Sequence, residues 1–233
     1  MSQVGAYIVQ FSTPADLDDI LEFYSAEGRP SSVYLRRTEM IEQAVTNGLF
    51  LTIRQTQPQG DMLIAASATY PIATGAPIRI DLDEDSESRN PVWELGSALR
   101  RDDREVATNG ALTRGFWDLL VGVPVLRLAM RNGADFPNLV VTANIQESLD
   151  RQISRLTQKP HCWRSIERVH PELAAAFAAT TDDPARNIAK RFFRFDPAQL
   201  PTLGDWLRSQ FSRFREAKSA VSIDVSAIEP LIS

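Results

Sequence analysis

Hydrophobic residues recur along this chain with two different periods. Segments rich in β-forming residues and bounded by turn residues predict strands over 5–11, 49–54, 62–70, 92–99, 139–143 and 191–195. Apolar residues spaced three and four apart predict helices over 14–26, from Thr38 to Asn47, and over 111–132, 146–156, 171–180 and 201–218. Pro124 is expected to kink or interrupt the helix 111–132.

The order of these segments predicts an α/β protein of the α+β type. Strands 49–54 and 62–70 flank the turn-forming segment QTQPQGD, so we expect them to form an antiparallel hairpin. The β-α-β unit over 92–143 should place its two strands in parallel through a right-handed crossover. The expected architecture is a mixed, twisted sheet flanked by helices, with a C-terminal helical extension.

Two regions are expected, a main domain over 1–198 and an amphipathic helix and tail over 199–233. The tail helix carries one apolar stripe, made of Leu203, Trp206, Leu207, Phe211 and Phe214. Its opposite face is basic, with Arg208, Arg213, Arg215 and Lys218. We expect the stripe to cover the domain's own core, or a second subunit in a homodimer. The alternative is a helix that docks on acidic lipid or on another partner.

Composition narrows the class of protein. The chain has 233 residues, of which 43% are hydrophobic, and a formal net charge of −5, which disfavours a nucleic-acid binder. One cysteine and two histidines leave little for a disulfide framework or a metal centre, and we expect no metal. No signal-peptide pattern and no apolar run long enough for a membrane span are present. We therefore expect a cytoplasmic protein without stable membrane association.

The polar segment between strand 92–99 and helix 111–132 is a candidate anion site. A loop that leads into a helix N-terminus presents free backbone N–H groups and the positive end of the helix dipole. Gly110 and Ala111 are small enough to let a phosphate approach, and Arg104 adds a positive charge. The alternative is a connecting loop with a glycine in a turn.

The run ELGSALRRDDREVATNGALTR resembles the central motif of the GNAT superfamily of acyl-CoA-dependent N-acyltransferases. In that motif a strand ends in an aliphatic residue, and Arg-x-x-Gly-x-Gly/Ala and a helix follow. Leu99 and Arg104 keep the spacing, whereas Ala107 and Asn109 stand at the two glycine positions, directly before Gly110 and Ala111. The same run is also similar to arginine N-succinyltransferases, which belong to this superfamily.

A second matching feature is Thr142-Ala143-Asn144, a strand that ends in Asn before a helix. The resemblance implies that strands 92–99 and 139–143 diverge at their C-terminal ends and admit the pantetheine arm of an acyl-CoA. It also implies the residues that contact this coenzyme, namely Ala98, Leu99, Arg104, Ala107, Asn109, Gly110, Ala111, Leu112 and Asn144. Many members carry a Tyr as general acid in the next helix, and positions 146–156 contain none.

Glu94 is the candidate general base. An amine acceptor is mostly protonated at pH 7, so acyl transfer needs a group that removes a proton, and GNAT members often place a Glu on this strand. Regular alternation would place Glu94 on one face with Gly96 and Ala98, with Leu95, Ser97 and Leu99 on the other. The alternative is a solvated Glu94 at an edge. Ser97 and Cys162 are candidate proton donors to the leaving thiolate, although a buried structural Cys162 is favoured.

The function that we expect is transfer of an acyl group from acetyl-CoA or another acyl-CoA to a small-molecule amine. A related reading is an enzyme similar to the long-chain acyl-homoserine-lactone or N-acyl amino acid synthases. A third hypothesis is a non-catalytic GNAT-like module that binds acyl-CoA or a partner. The altered glycine motif and the missing Tyr favour this hypothesis.

Overall fold

The computed structural model describes residues 5–27, 36–73, 78–81, 91–101, 110–144, 162–181, 190–216 and 221–232. The strands are β1 (Gly5–Phe11), β2 (Phe50–Gln55), β3 (Met62–Ala73), β4 (Val92–Arg100), β5 (Asn138–Asn144), β6 (Trp163–Ile166), β7 (Lys190–Phe195) and β8 (Val221–Asp224). The helices are α1 (Leu17–Glu27), α2 (Thr38–Thr46), α3 (Gly110–Asn132), α4 (Pro171–Ala178), α5 (Leu200–Glu216) and α6 (Glu229–Ile232).

The eight strands form one mixed sheet in the order β6-β7-β5-β4-β3-β2-β1-β8. The pairs β4–β5 and β1–β8 are parallel, and the others are antiparallel. The predicted fold class is therefore confirmed, as are the hairpin of β2 and β3 and the parallel pair of β4 and β5. The predicted helix 146–156 lies outside the described residues.

Each face of the sheet buries its own apolar side chains beneath helices. On one face α3, α5 and α6 cover a cluster that contains Leu95 of β4 and Leu139 of β5. On the other face α1 and α2 cover β2 and β3, and α4 covers a neighbouring cluster with Val92 and Val140. Glu94 lies on the second face, because side chains alternate along a strand and Glu94 is paired with Val140 in register.

Helix α3 continues through Pro124, so of the two expected effects, a kink or an interruption, the interruption does not occur. Proline has no N–H, and the carbonyl of Leu120, four residues earlier, therefore lacks its usual helical donor. The hydroxyl of buried Ser67 on β3 donates to this carbonyl oxygen at 2.6 Å. The bond compensates for the proline and ties the middle of α3 to the sheet.

The C-terminal segment joins the core of the main domain. Leu203, Leu207 and Phe211 of α5 are buried in the same cluster as α3. Gly122 of α3 makes this packing close, since a Cβ there would lie 2.9 Å from Leu207 Cδ1. Strand β8, which the sequence analysis did not predict, then pairs with β1. No helix of the described residues has both the length and the apolar character to cross a membrane.

Candidate active site

Strands β4 and β5 separate halfway along their length. They are paired in parallel from Val92 with Asn138 to Leu95 with Val141. Beyond that point β4 pairs with β3, and β5 pairs with β7. The β4–β5 pairing therefore ends before the C-terminal ends of both strands, next to Gly96 and Thr142, which agrees with the predicted divergence.

A β-bulge in β4 lies at this opening. Ala68 is paired with Gly96 and Ala66 with Leu99, so Ser97 and Ala98 together stand opposite Ser67. Ser97 has φ +53°, the only positive φ of a non-glycine residue in the described ranges. The expectation that Leu99 lies on the face opposite Glu94 is therefore wrong. The extra residue of the bulge shifts the alternation, and Leu99 packs with Tyr70 on the face of Glu94. β-Bulges and residues with left-handed backbone angles are common at functional sites, because they change the direction of side chains and strand ends.

Glu94 is buried, at 1% exposure, so the alternative of a solvated Glu94 is wrong. Its Oε2 forms an ion pair with Nη2 of Arg36, whose side chain is equally inaccessible. The Thr142 hydroxyl donates to Oε1 over 3.4 Å, and Tyr70 lies opposite Glu94 in the β3–β4 register. The carboxylate thus lies beneath the place where β4 and β5 separate.

Gly96 makes room for this carboxylate. A Cβ at position 96 would lie 3.0 Å from Cδ of Glu94 and 3.1 and 3.2 Å from its two oxygens. The glycine is needed here for close approach. The expectation that Glu94 and Gly96 share a face is confirmed.

Two phenols converge on the bulge. The Tyr70 hydroxyl donates to Oγ of Ser97 at 2.7 Å, and the Tyr24 hydroxyl donates to the backbone oxygen of Ser97. Burial raises the pKa of Tyr24 and of Tyr70 well above the usual value, so both phenols are protonated at neutral pH. Because Ser97 accepts from Tyr70, its own hydroxyl proton can point elsewhere.

The sequence analysis missed Arg36, Tyr24 and Tyr70. The apolar pattern assigns Tyr24 only to the stripe of its helix and Tyr70 only to a strand. Arg36 stands next to Arg37 directly before α2, where an arginine carries no signal of burial. Its partner on β4 is 58 residues away.

The expected coenzyme contacts are described only in part. Ala98 and Leu99 lie on β4 at the bulge, and Asn144 is the last residue of β5. Gly110, Ala111 and Leu112 form the first turn of α3, whose backbone N–H groups have no partner within the helix. Arg104, Ala107 and Asn109 lie outside the described residues.

Cys162 lies away from this site. It is buried in the cluster beneath α3 and α5, on the face opposite Glu94, with its Sγ 3.9 Å from the Gln199 carbonyl oxygen. Burial, and secondarily the charge of Asp196, raise the pKa of the thiol to about 12. Its assignment as a proton donor is therefore wrong, and the structural alternative holds. In the described part of the chain no group of three His, Cys, Asp or Glu side chains could hold a metal.

No protein-family model and no curated protein matches this chain. Solved structures do match it. A GCN5-related N-acetyltransferase from Kribbella flavida is 15% identical, with a TM-score of 0.40 over 70% of this chain and 34% of that one. This chain thus spans about a third of that protein.

Two further structures match over most of their length. A GNAT-family acetyltransferase from Listeria monocytogenes is 11% identical, with a TM-score of 0.44 over 81% of this chain and 93% of that one. Arabidopsis thaliana NAA60, solved with acetyl-CoA, is 9% identical, with a TM-score of 0.44 over 81% and 97%. At these identities and TM-scores, the activities of these proteins do not transfer to this chain.

Proposed function

We propose that this protein is a GNAT-type N-acyltransferase that moves an acyl group from acyl-CoA to a small-molecule amine. The amine nitrogen attacks the thioester carbonyl carbon directly, a C–N bond forms and the C–S bond breaks. The proton lost by the amine goes to Glu94, and the coenzyme A thiolate takes a proton as it leaves. No covalent enzyme intermediate is needed.

The observation that carries this proposal is the opening between β4 and β5, with a bulge on one side and a buried carboxylate beneath it. In GNAT proteins, which the β4–α3 sequence resembles, such an opening admits the pantetheine arm. Ordinary sheet packing gives no reason to separate two paired strands at the point where a buried carboxylate lies. The arrangement supports a site at which a thioester meets a general base.

The same residues fit an acyl-CoA. Among the described residues, β4 is not paired with β5 beyond Leu95, so backbone N–H groups near the bulge at Ser97 and Ala98 can polarise the thioester carbonyl. The first turn of α3, with Arg104, Ala107 and Asn109 before it, would hold the pyrophosphate by N–H groups and the helix dipole. Asn144 would border the pantetheine from the other strand.

Glu94 would act as general base, directly or through one water molecule, since its side chain is almost inaccessible. Ser97 would donate its hydroxyl proton to the leaving thiolate as the C–S bond breaks, and the Tyr70 hydroxyl would stabilise the Ser97 oxygen until solvent returns a proton to it. This pair of hydroxyls supplies the role that the missing Tyr of the following helix serves in many GNAT proteins.

One observation favours a second candidate, a non-catalytic module that binds acyl-CoA. Arg36 already occupies one oxygen of Glu94. If that pair only stabilises the fold, the site would bind the coenzyme without transferring its acyl group.

Calorimetry with acetyl-CoA, succinyl-CoA and long-chain acyl-CoAs tests binding and acyl length. The variant Gly110→Asp should weaken binding several-fold or more, because it places a negative charge beside the pyrophosphate. Ser212→Asp is the control, since it adds the same carboxylate at an exposed position of α5. Absence of binding by any acyl-CoA would overturn the proposal.

A thiol-release assay with a panel of amines then tests catalysis. Glu94→Gln should lower the rate by roughly 10²–10⁴ and leave coenzyme affinity little changed. Glu39→Gln on the exposed surface of α2 is the control. Wild-type turnover that survives in folded Glu94→Gln would place the base elsewhere, and binding without any turnover would favour the second candidate.

A further inference from the structure

We infer that Arg36 is a positioning residue, which orients the Glu94 carboxylate toward the β4–β5 opening and keeps it ionised. This inference rests on the proposed function insofar as Glu94 is the base. The ionisation of Glu94 can be measured without any substrate.

Arg36 is itself held from several sides. Its Nη1 donates to Thr180 Oγ1 at 2.6 Å, and its guanidinium carbon lies 6.0 Å from the ring centre of Phe177. Thr180 Oγ1 donates in turn to the Phe177 carbonyl oxygen at 2.7 Å, and the Arg37 N–H donates to the Thr180 carbonyl oxygen at 3.1 Å. The end of α4 therefore fixes the guanidinium over the sheet.

This arrangement distinguishes the two oxygens of Glu94. Arg36 takes Oε2, while Oε1 lies 3.4 Å from Oγ1 of Thr142. Thr142 is the first residue of β5 beyond its last pair with β4. The oxygen that would accept a proton is thus the one that lies nearer to the opening, and Gly96 behind the carboxylate prevents it from being crowded away.

Burial and the Arg36 charge act on Glu94 in opposite directions. A buried carboxyl without a cation favours its neutral form, whereas an adjacent guanidinium, which stays charged, favours the carboxylate. Described side chains that contact or oppose Glu94 include Arg36 before α2, Tyr70 of β3 and Thr142 of β5, and Thr180 after α4 contacts Arg36. Tyr70 is neutral, so Arg36 is the charge among these four groups that can keep Glu94 ionised.

The test uses Arg36→Met and Arg36→Lys in protein labelled with ¹³C at the Glu carboxyl carbon. The Glu94 resonance is the one that Glu94→Gln removes. In Arg36→Met it should change from the ionised to the protonated position at a pH about one unit or more above the wild-type transition. Arg36→Lys keeps the positive charge but not the planar set of guanidinium donors. Its Glu94 transition should therefore lie at a pH between those of the wild type and Arg36→Met.

Arg54→Met is the matched control, because Arg54 is another buried arginine that pairs with two carboxylates, Asp16 at 2.9 Å and Asp19 at 2.5 Å. It lies on the β2 side of α1 and should leave the Glu94 titration unchanged. In the rate assay, the acidic limb of Arg36→Met should move to higher pH, with about a tenfold greater loss at pH 6 than at pH 9.

An Arg36→Met protein whose Glu94 titrates as in wild type would overturn the inference. If Arg36→Met does not fold, a wild-type titration in Arg36→Lys together with unchanged rates would overturn it in the same way. If the titration shifts but wild type transfers no acyl group, the proposed function fails and the statement about Glu94 ionisation stands. If wild type is active and the titration does not shift, only this inference fails.

Discussion

Ser67→Ala should destabilise the protein in a way that depends on Pro124. Ser67 stands opposite the bulge at Ser97 and Ala98, and its hydroxyl is the donor that the structure provides to the Leu120 carbonyl in place of the proline. Ser67 is completely buried, so when its hydroxyl is removed, no water can reach the Leu120 carbonyl oxygen to replace the lost donor. An unsatisfied buried acceptor costs about 1–3 kcal/mol, and this is the loss in unfolding free energy that we expect.

Pro124→Ala supplies the comparison. An alanine at position 124 has an N–H that can donate to the Leu120 carbonyl within the helix, so Ser67 is no longer needed there. In the Pro124→Ala background, Ser67→Ala should cost less than about 1 kcal/mol. The coupling between the two positions should therefore be about 1–2 kcal/mol, which is typical of residues that share one partner.

Urea titrations of the wild type, the two single variants and the double variant measure this coupling, with unchanged m-values as the condition for comparing midpoints. Ser212→Ala is the control, because its hydroxyl also donates to a helical carbonyl, that of Arg208 at 3.2 Å, but on the exposed side of α5. It should change stability by less than about 0.5 kcal/mol. An equal cost of Ser67→Ala in the wild type and in the Pro124→Ala background would refute the reasoning.

Three further predictions concern other close contacts. Gly96→Ala should lower kcat/KM by about tenfold, because its Cβ would displace the Glu94 carboxylate; an unchanged rate would contradict the proposed geometry. Gly122→Ala should lower the unfolding free energy by about 1–3 kcal/mol in a thermal or urea titration, because its Cβ would push Leu207 away. Cys162, whose thiol pKa is raised to about 12, should react with a thiol reagent at pH 8 only after unfolding, and rapid reaction of the native protein would show that the cysteine is accessible.

Most elements of this fold could be predicted because their patterns are local. The Thr13–Asp16 capping box, with Thr13 N–H donating to Asp16 Oδ2 at 2.8 Å, marks the start of the 3-10 turn that leads into α1, and Gly48 at φ +60° follows the end of α2. Strands β6 and β8 could not be predicted in the same way. Each has four residues, and their pairing with β7 and β1 determines their conformation more than their own sequence does.

The site could be predicted only as far as its strand. Glu94 and Ser97 lie on β4, where the pattern and the family resemblance placed them. The bulge leaves no local signal, because the residue at positive φ is a serine and not a glycine. The Arg36 pair and the Tyr70 bond depend on contacts between distant segments, which no spacing along the chain encodes.

The chemistry of the buried pair bears on the choice between enzyme and binding module. Admission of a pantetheine arm needs the strand separation and the bulge, but it does not need a carboxylate under them. Burying Glu94 and Arg36 costs desolvation, and apolar residues of similar volume often replace such pairs with no loss of stability. A module that only binds acyl-CoA would gain nothing from the pair, whereas a base that must be ionised inside the protein requires a cation beside it. The Arg36–Glu94 pair, which at first sight blocks the base, therefore agrees with the proposed role of Glu94, and the double variant Arg36→Met/Glu94→Gln tests that role. It should recover stability relative to either single variant and keep coenzyme affinity, yet it should not recover acyl transfer.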